Sequence, residues 1–73
     1  MNRKEREKRH DKYYAIEAYQ ILARKSFKDM AGLLGITERT YKEKINGYSD
    51  FSATQGSDLA KHLGASQDQI FLT

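Results

Sequence analysis

The sequence predicts an all-α fold of five short helices, and three observations lead to this prediction. Apolar residues recur every three or four positions along most of the chain from Tyr13 onward, which is the spacing of one helix face. Three segments begin with serine and carry Asp or Gln three residues later, the pattern of a helix capping box. Glycine follows several of the apolar repeats, where a helix is expected to end. The 73 residues include no cysteine, so we expect a single domain without disulfides.

The N-terminal part of the chain differs in charge from the rest. Residues 1–12 hold six basic and three acidic side chains, whereas residues 13–73 hold seven of each, so the net charge of +3 resides in the first segment. We expect residues 1–12 to form a basic arm or a fraying helical extension, and residues 13–73 to form the folded domain.

The first predicted helix covers residues 13–24. Its apolar side chains fall on two neighbouring lines of the helix surface. One line holds Tyr14, Ala18 and Ile21, and the other holds Ala15, Tyr19 and Leu22. We expect this stripe to face the core, together with the ring of Tyr13.

Ser26 and Asp29 form the first capping box and predict a second helix from Phe27 to Leu34. Gly35 ends this helix, because the residue past the last turn often adopts the left-handed conformation that is open to glycine. The buried face is expected to hold Met30, Ala31, Leu33 and Leu34.

Thr37 caps a third helix, which is expected from Glu38 to Asn46. The linker Gly35-Ile36-Thr37 is too short for an antiparallel hairpin with a long loop, so the two helices must cross at a steep angle, as in a helix-turn-helix motif. Tyr41 and Ile45 lie four residues apart on the buried side. The outer face then carries Glu38, Arg39, Lys42, Glu43 and Asn46.

Two further capping boxes predict the last two helices. Ser52 with Gln55 begins the fourth helix, in which Gly56 indicates either a close packing contact or a start one turn later. A final turn begins at Ser66. This turn carries Ile70, Phe71 and Leu72, which either seal the core or form a dimer contact with a second copy.

The sequence gives no support for catalysis, metal binding or membrane insertion. It lacks a paired nucleophile and base and a glycine-rich phosphate loop, so we expect no enzyme, no cofactor and no small-molecule substrate. His10 and His62 stand apart from other metal-ligating residues, so we expect them at the surface and expect no metal. No apolar run approaches the roughly 18–20 residues that cross a bilayer, and the charged N-terminus is unlike a secretory signal. We therefore expect a cytoplasmic protein.

The stretch from Ser26 to Phe71 resembles the helix-turn-helix domain of Cro/C1-type bacteriophage repressors. The matching residues are Met30-Ala31, Leu34-Gly35-Ile36-Thr37, Tyr41, Gly47, Leu59-Ala60, Leu63-Gly64 and Ile70-Phe71. The string from Lys44 to Phe51 is similar to that of a subgroup of small phage regulators. The resemblance implies a lambda-repressor-like fold and a regulator of a phage lysogeny switch in the cytoplasm of a bacterial host.

In such a regulator the third helix enters the major groove of operator DNA. The resemblance then implies that Arg39 and Lys42 make the principal contacts, while Glu38 and Glu43 restrict which bases are tolerated. Two features depart from the family pattern. Phe27 stands where these repressors often carry a Gln that touches DNA, and the two glutamates bring negative charge toward the phosphates.

These departures keep a second function open, that of an antirepressor that binds the DNA-binding domain of a phage repressor. Mixed charges would orient the partner protein, and aromatic side chains would anchor it. A purely structural adaptor would use neither kind of contact. The residues expected to contact DNA or the repressor are Phe27, Lys28, Thr37, Glu38, Arg39, Lys42, Glu43, Asn46 and Tyr48. Among them, Tyr48 is expected to be exposed.

Overall fold

The computed structural model describes residues 7–72, and in this range it contains α-helices and no strand. The helices are α1 (Tyr14–Leu22), α2 (Phe27–Leu34), α3 (Glu38–Asn46), α4 (Ala53–Leu63) and α5 (Gln67–Ile70). The prediction of an all-α fold of five helices is confirmed, and α2 and α3 have the predicted bounds.

The predicted capping residues begin four of these helices. The Ser26 hydroxyl accepts a hydrogen bond from the amide of Asp29 at 3.0 Å, and the Asp29 carboxylate accepts one from the amide of Ser26 at 3.0 Å. This second bond is the main reason that the pKa of Asp29 lies below its ordinary value. Ser52 and Ser66 form boxes of the same kind, and Thr37 caps α3 through its hydroxyl.

The turn between α2 and α3 lies at the predicted place. Gly35 has φ 72°, in the left-handed region that favours glycine. The amide of Ile36 donates to the carbonyl of Ala31 at 3.0 Å, which closes the last turn of α2. The chain then enters α3 at its cap, Thr37, so residues 27–46 form two helices and not one rod.

All five helices contribute to one core. Its buried apolar side chains are Ile16, Met30, Ala31, Tyr41, Ile45, Leu59, Leu63 and Ile70. The helix α2 packs against α3 and α4, and α5 packs against α1 and α4. A Cβ atom at Gly56 would lie 3.1 Å from the ring of Phe71, so a close packing contact accounts for glycine inside α4.

α1 turns a different side to the core than the sequence predicts. Its buried residues are Ile16 and Gln20, and the oxygen of Gln20 accepts a hydrogen bond from the Tyr41 hydroxyl at 2.8 Å. The predicted stripe instead lies largely in solvent, with Tyr14 69%, Ile21 70% and Leu22 76% exposed. Ala18 is exposed as well, whereas Ala15 and Tyr19 are half-buried. The prediction is wrong because α1 is apolar on both sides, so periodicity alone does not identify the core side.

Residues 7–13, which we call the N-terminal segment, contain no helix and pack against the end of α3. The amide of Arg9 donates to the Gly47 carbonyl at 2.6 Å, and that of Tyr13 donates to the Ile45 carbonyl at 3.0 Å. His10 is half-buried, and its ring stacks on Tyr13 with 4.0 Å between the centroids. The prediction of a helical extension is therefore wrong for residues 7–12, and so is the prediction that His10 lies at the surface. The rest of the predicted arm, residues 1–6, lies outside the described residues.

The last predicted apolar groups separate into core and surface. Ile70 is fully buried and Phe71 is half-buried, so both seal the core of their own chain and Ile70 is not available to a second copy. Leu72 is 68% exposed. On α2, Leu33 was expected to be buried but is 42% exposed.

Candidate binding surface on the third helix

The packing of α3 fixes which of its side chains reach the solvent. Tyr41 and Ile45 are buried, with 0% and 1% exposure, and they hold the inner side of the helix on the core. The opposite side presents four charged residues, which we call the α3 surface: Glu38, Arg39, Lys42 and Glu43. The Arg39 side chain is 87% exposed, whereas that of Glu43 is 29% exposed.

Each base of the α3 surface is paired with an acid one helical turn away. The Lys42 ammonium lies 3.1 Å from a Glu38 oxygen, and Nε of Arg39 lies 3.4 Å from a Glu43 oxygen. Pairs of this kind contribute only about 0.3–0.5 kcal/mol when exposed. Arg39 or Lys42 can therefore exchange its carboxylate partner for a ligand group at a small cost in free energy. The α3 surface as a whole has no formal net charge.

Phe27 lies beneath this surface and is half-buried. Its ring meets that of Tyr41 edge-on at 6.0 Å, and the Lys42 ammonium lies 5.1 Å from its centroid. The ring thus supports Lys42 and links the start of α2 to α3. Lys28, the next residue, is exposed.

Thr37 is exposed, but its hydroxyl is engaged within α3. It accepts from the amide of Thr40 at 3.1 Å and donates to the Thr40 hydroxyl at 2.9 Å. The main role of Thr37 in the structure is therefore to cap the helix. Its hydroxyl oxygen has one remaining lone pair, which could accept a hydrogen bond from a ligand.

The other end of α3 differs from the prediction. Tyr48 is half-buried and not exposed, and Asn46 is half-buried too. The Lys8 ammonium lies 5.8 Å from the centre of the Tyr48 ring, and a guanidinium nitrogen of Arg9 lies 3.4 Å from a carboxylate oxygen of Asp50. The N-terminal segment thus brings two basic side chains to this end of the helix, and no local sequence pattern indicates that pairing.

A small cleft of about 280 Å³ lies away from the α3 surface, with Tyr13, Phe51 and Phe71 among its lining residues. Burial is the main cause that raises the pKa of Tyr13. Within residues 7–72 no three His, Cys, Asp or Glu side chains are grouped so that they could hold a metal ion. None of the helices in that range is long and apolar enough to cross a membrane.

The fold and the placement of α3 together define a helix-turn-helix domain, with the second helix of the motif presented to solvent. Two solved structures share this arrangement at low sequence identity. The clp gene regulator ClgR of C. glutamicum matches with a TM-score of 0.69 and 16% identity, over 80% of this chain and 74% of that one. The hypothetical transcription factor NHTF of Neisseria matches with a TM-score of 0.70 and 15% identity, over 82% of this chain and 69% of that one. The sequence matches no protein-family model and no curated protein.

Proposed function

We propose that the protein is a transcriptional regulator that binds operator DNA through the α3 surface. The observation that carries the proposal is the position of Arg39, which is 87% exposed on the second helix of a helix-turn-helix motif. The two similar structures are a gene regulator and a hypothetical transcription factor, which supports the same class of function. The resemblance to Cro/C1-type repressors suggests that the operator belongs to the lysogeny switch of a temperate phage, in the cytoplasm of its host.

In this proposal Arg39 gives up the Glu43 carboxylate and donates two hydrogen bonds to guanine, the commonest specific contact in the major groove. Lys42 turns from Glu38 to a base or a phosphate. Glu38 and Glu43 can then accept from cytosine N4 and repel nearby phosphates, so they restrict the base sequences that the protein tolerates. Lys28 and Thr37, near the starts of the two helices, would contact the phosphate backbone.

The direct test replaces Arg39 with Ala and measures binding to the promoter region of the chain's own gene by fluorescence anisotropy. The loss of a guanine contact is expected to cost about 1–3 kcal/mol on the cognate site. Lys61→Ala is the matched control, because it also removes one exposed positive charge but lies on α4. Specific binding should also weaken with salt by a log–log slope of about −0.9 per phosphate contact. Equal affinities of Arg39→Ala and the control would refute the proposal.

A second candidate function is that of an antirepressor that binds the DNA-binding domain of a phage repressor. The paired charges of the α3 surface favour it, because alternating signs without net charge suit a protein partner better than a phosphate backbone. In this case Phe27 and Tyr48 flank the charged contact.

Charge reversal separates this candidate from the first. Glu38→Lys or Glu43→Lys should abolish co-purification with the repressor encoded beside this gene, while the circular dichroism spectrum stays unchanged. Asp68→Lys on α5 is the control, since it makes the same change at an exposed position elsewhere. The pull-down is run with and without DNA. Full recovery of the repressor by both Glu variants would exclude the antirepressor function.

A further inference from the structure

The ring of His10 lies between two backbone carbonyl oxygens. Its Nδ1 atom is 2.7 Å from the carbonyl oxygen of Asp11, and its Nε2 atom is 3.1 Å from that of Ser49. A carbonyl oxygen can only accept a hydrogen bond, whereas a neutral imidazole has one N–H donor and one bare nitrogen. The imidazolium, with a proton on each nitrogen, can make both bonds. In the neutral ring, the lone pair of one nitrogen would face a lone pair of a carbonyl oxygen.

The charged and aromatic groups around the ring act in both directions. The ring of Tyr13 stacks on that of His10 at 4.0 Å and attracts a cation through its face, and a carboxylate oxygen of Asp50 lies 3.9 Å from Nε2. Two cations oppose a charge on the ring. The Arg9 guanidinium lies 3.4 Å from the other Asp50 oxygen, and the Lys44 ammonium donates to the Asp50 carbonyl at 2.8 Å. The hydrogen bonds to the two carbonyls therefore distinguish the protonated ring from the neutral one.

The His10 ring connects two parts of the chain that are distant in sequence. One is the N-terminal segment, and the other is the stretch between the third and fourth helices, residues 47–52, which we call the α3–α4 loop. The amides of Arg9 and Tyr13 also donate to carbonyls at the end of α3, but backbone bonds of this kind do not titrate. The bond from Nε2 to Ser49, 39 residues away, does depend on a proton.

We propose that His10 is a pH-dependent clamp, which closes the N-terminal segment on the α3–α4 loop when its ring is protonated. The closed ring needs both protons, whereas a ring released into water loses one of them to the solvent in the range where histidine changes charge. The closed segment thus binds more protons than the released one, so acid favours closure and a rise in pH favours release.

The clamp determines where two basic side chains lie. While it is closed, Lys8 lies against the ring of Tyr48 and Arg9 lies beside Asp50, both near the end of α3. Release of the segment removes the contacts that hold these two bases there. The clamp itself depends on no property of the α3 surface, so it can be tested without knowing what that surface binds.

Hydrogen exchange of the full chain, followed by NMR, measures closure directly. The amides of Arg9 and Tyr13 report on the segment, because both donate to carbonyls at the end of α3. Their protection, corrected for the intrinsic exchange rate, should fall at least about fivefold between about pH 5.5 and pH 8, the factor that corresponds to one ordinary hydrogen bond. The amide of Leu59, within α4, reports on global unfolding and separates it from local release.

Three variants assign the pH dependence. His10→Gln removes the titrating ring, so the protection of the segment should be equal at both pH values, even where it is lower than in the wild type. His62→Gln is the matched control, since it makes the same change at an exposed position on α4 and should keep the pH dependence. Asp50→Asn should move the loss of protection to lower pH, because it removes a negative charge 3.9 Å from the ring.

The ring protons provide a second measurement. At the acidic end of the series, N–H resonances from both ring nitrogens of His10 should be visible, because hydrogen bonds protect both protons, whereas those of the exposed His62 exchange with water. A single N–H resonance from His10 at that pH would overturn the proposal. So would protection of the wild-type segment that does not change with pH, or a change that persists in His10→Gln.

Discussion

Tyr41 joins α3 to α1 through one hydrogen bond. Its ring is fully buried, and its hydroxyl donates to the oxygen of Gln20, which is 2% exposed. Burial is the main cause that raises the pKa of Tyr41 well above its ordinary value, so the phenol remains a donor throughout the neutral range. A charged α3 surface is thus held in place by a neutral, buried pair.

Tyr41→Phe should lower the free energy of unfolding by about 1–3 kcal/mol, because the buried oxygen of Gln20 loses its donor. Urea unfolding followed by circular dichroism measures the change. The double variant Gln20→Leu/Tyr41→Phe removes both partners and should be more stable than Tyr41→Phe alone, since no polar group is then left unpaired. A Tyr41→Phe variant as stable as the wild type would mean that the hydrogen bond contributes nothing.

Helices whose limits depend on local hydrogen bonds were predictable from the sequence. The capping box at Ser26, the left-handed Gly35 and the cap at Thr37 involve neighbours within five residues, so α2 and α3 begin and end where the pattern indicates. The core side of α1 depends instead on the contact between Gln20 and Tyr41, which lie 21 residues apart. A polar residue on the buried side and an apolar stripe in solvent reverse the usual rule, and periodicity alone selects the wrong face.

The position of the N-terminal segment could not be predicted from the sequence either, because it too depends on contacts between residues far apart in the chain. It is held by backbone bonds to the carbonyls of Gly47 and Ile45, and these bonds require no particular side-chain pattern. The close approach has one sequence requirement, because a Cβ atom at Gly47 would collide with the carbonyl oxygen of His10. Asn46-Gly47 suggested only the end of a helix, whereas the structure assigns Gly47 a contact as well.

Gly47→Ala should therefore destabilise the protein more than Gly35→Ala. Both glycines have positive φ, 99° and 72°, and alanine costs roughly 1–2 kcal/mol in that region. Only Gly47 has a backbone neighbour in the way, since a Cβ at Gly35 meets open space. Urea unfolding should show the larger loss for Gly47→Ala, and limited trypsin digestion should cleave it faster after Arg9. Equal losses and equal cleavage would show that the segment does not rely on this contact.

The whole molecule has two exposed surfaces of different chemistry, the charged α3 surface and the apolar stripe of Tyr14, Ile21 and Leu22 on α1. The charged residues of the α3 surface could be located from the sequence, because Tyr41 and Ile45 fix the inner side and the rest follows from helical spacing. The residues that flank the α3 surface could not be located from the sequence, because Tyr48 is half-buried where the N-terminal segment folds back. The stripe on α1 was visible in the sequence only as a run of apolar side chains, and its exposure is a property of the assembled fold.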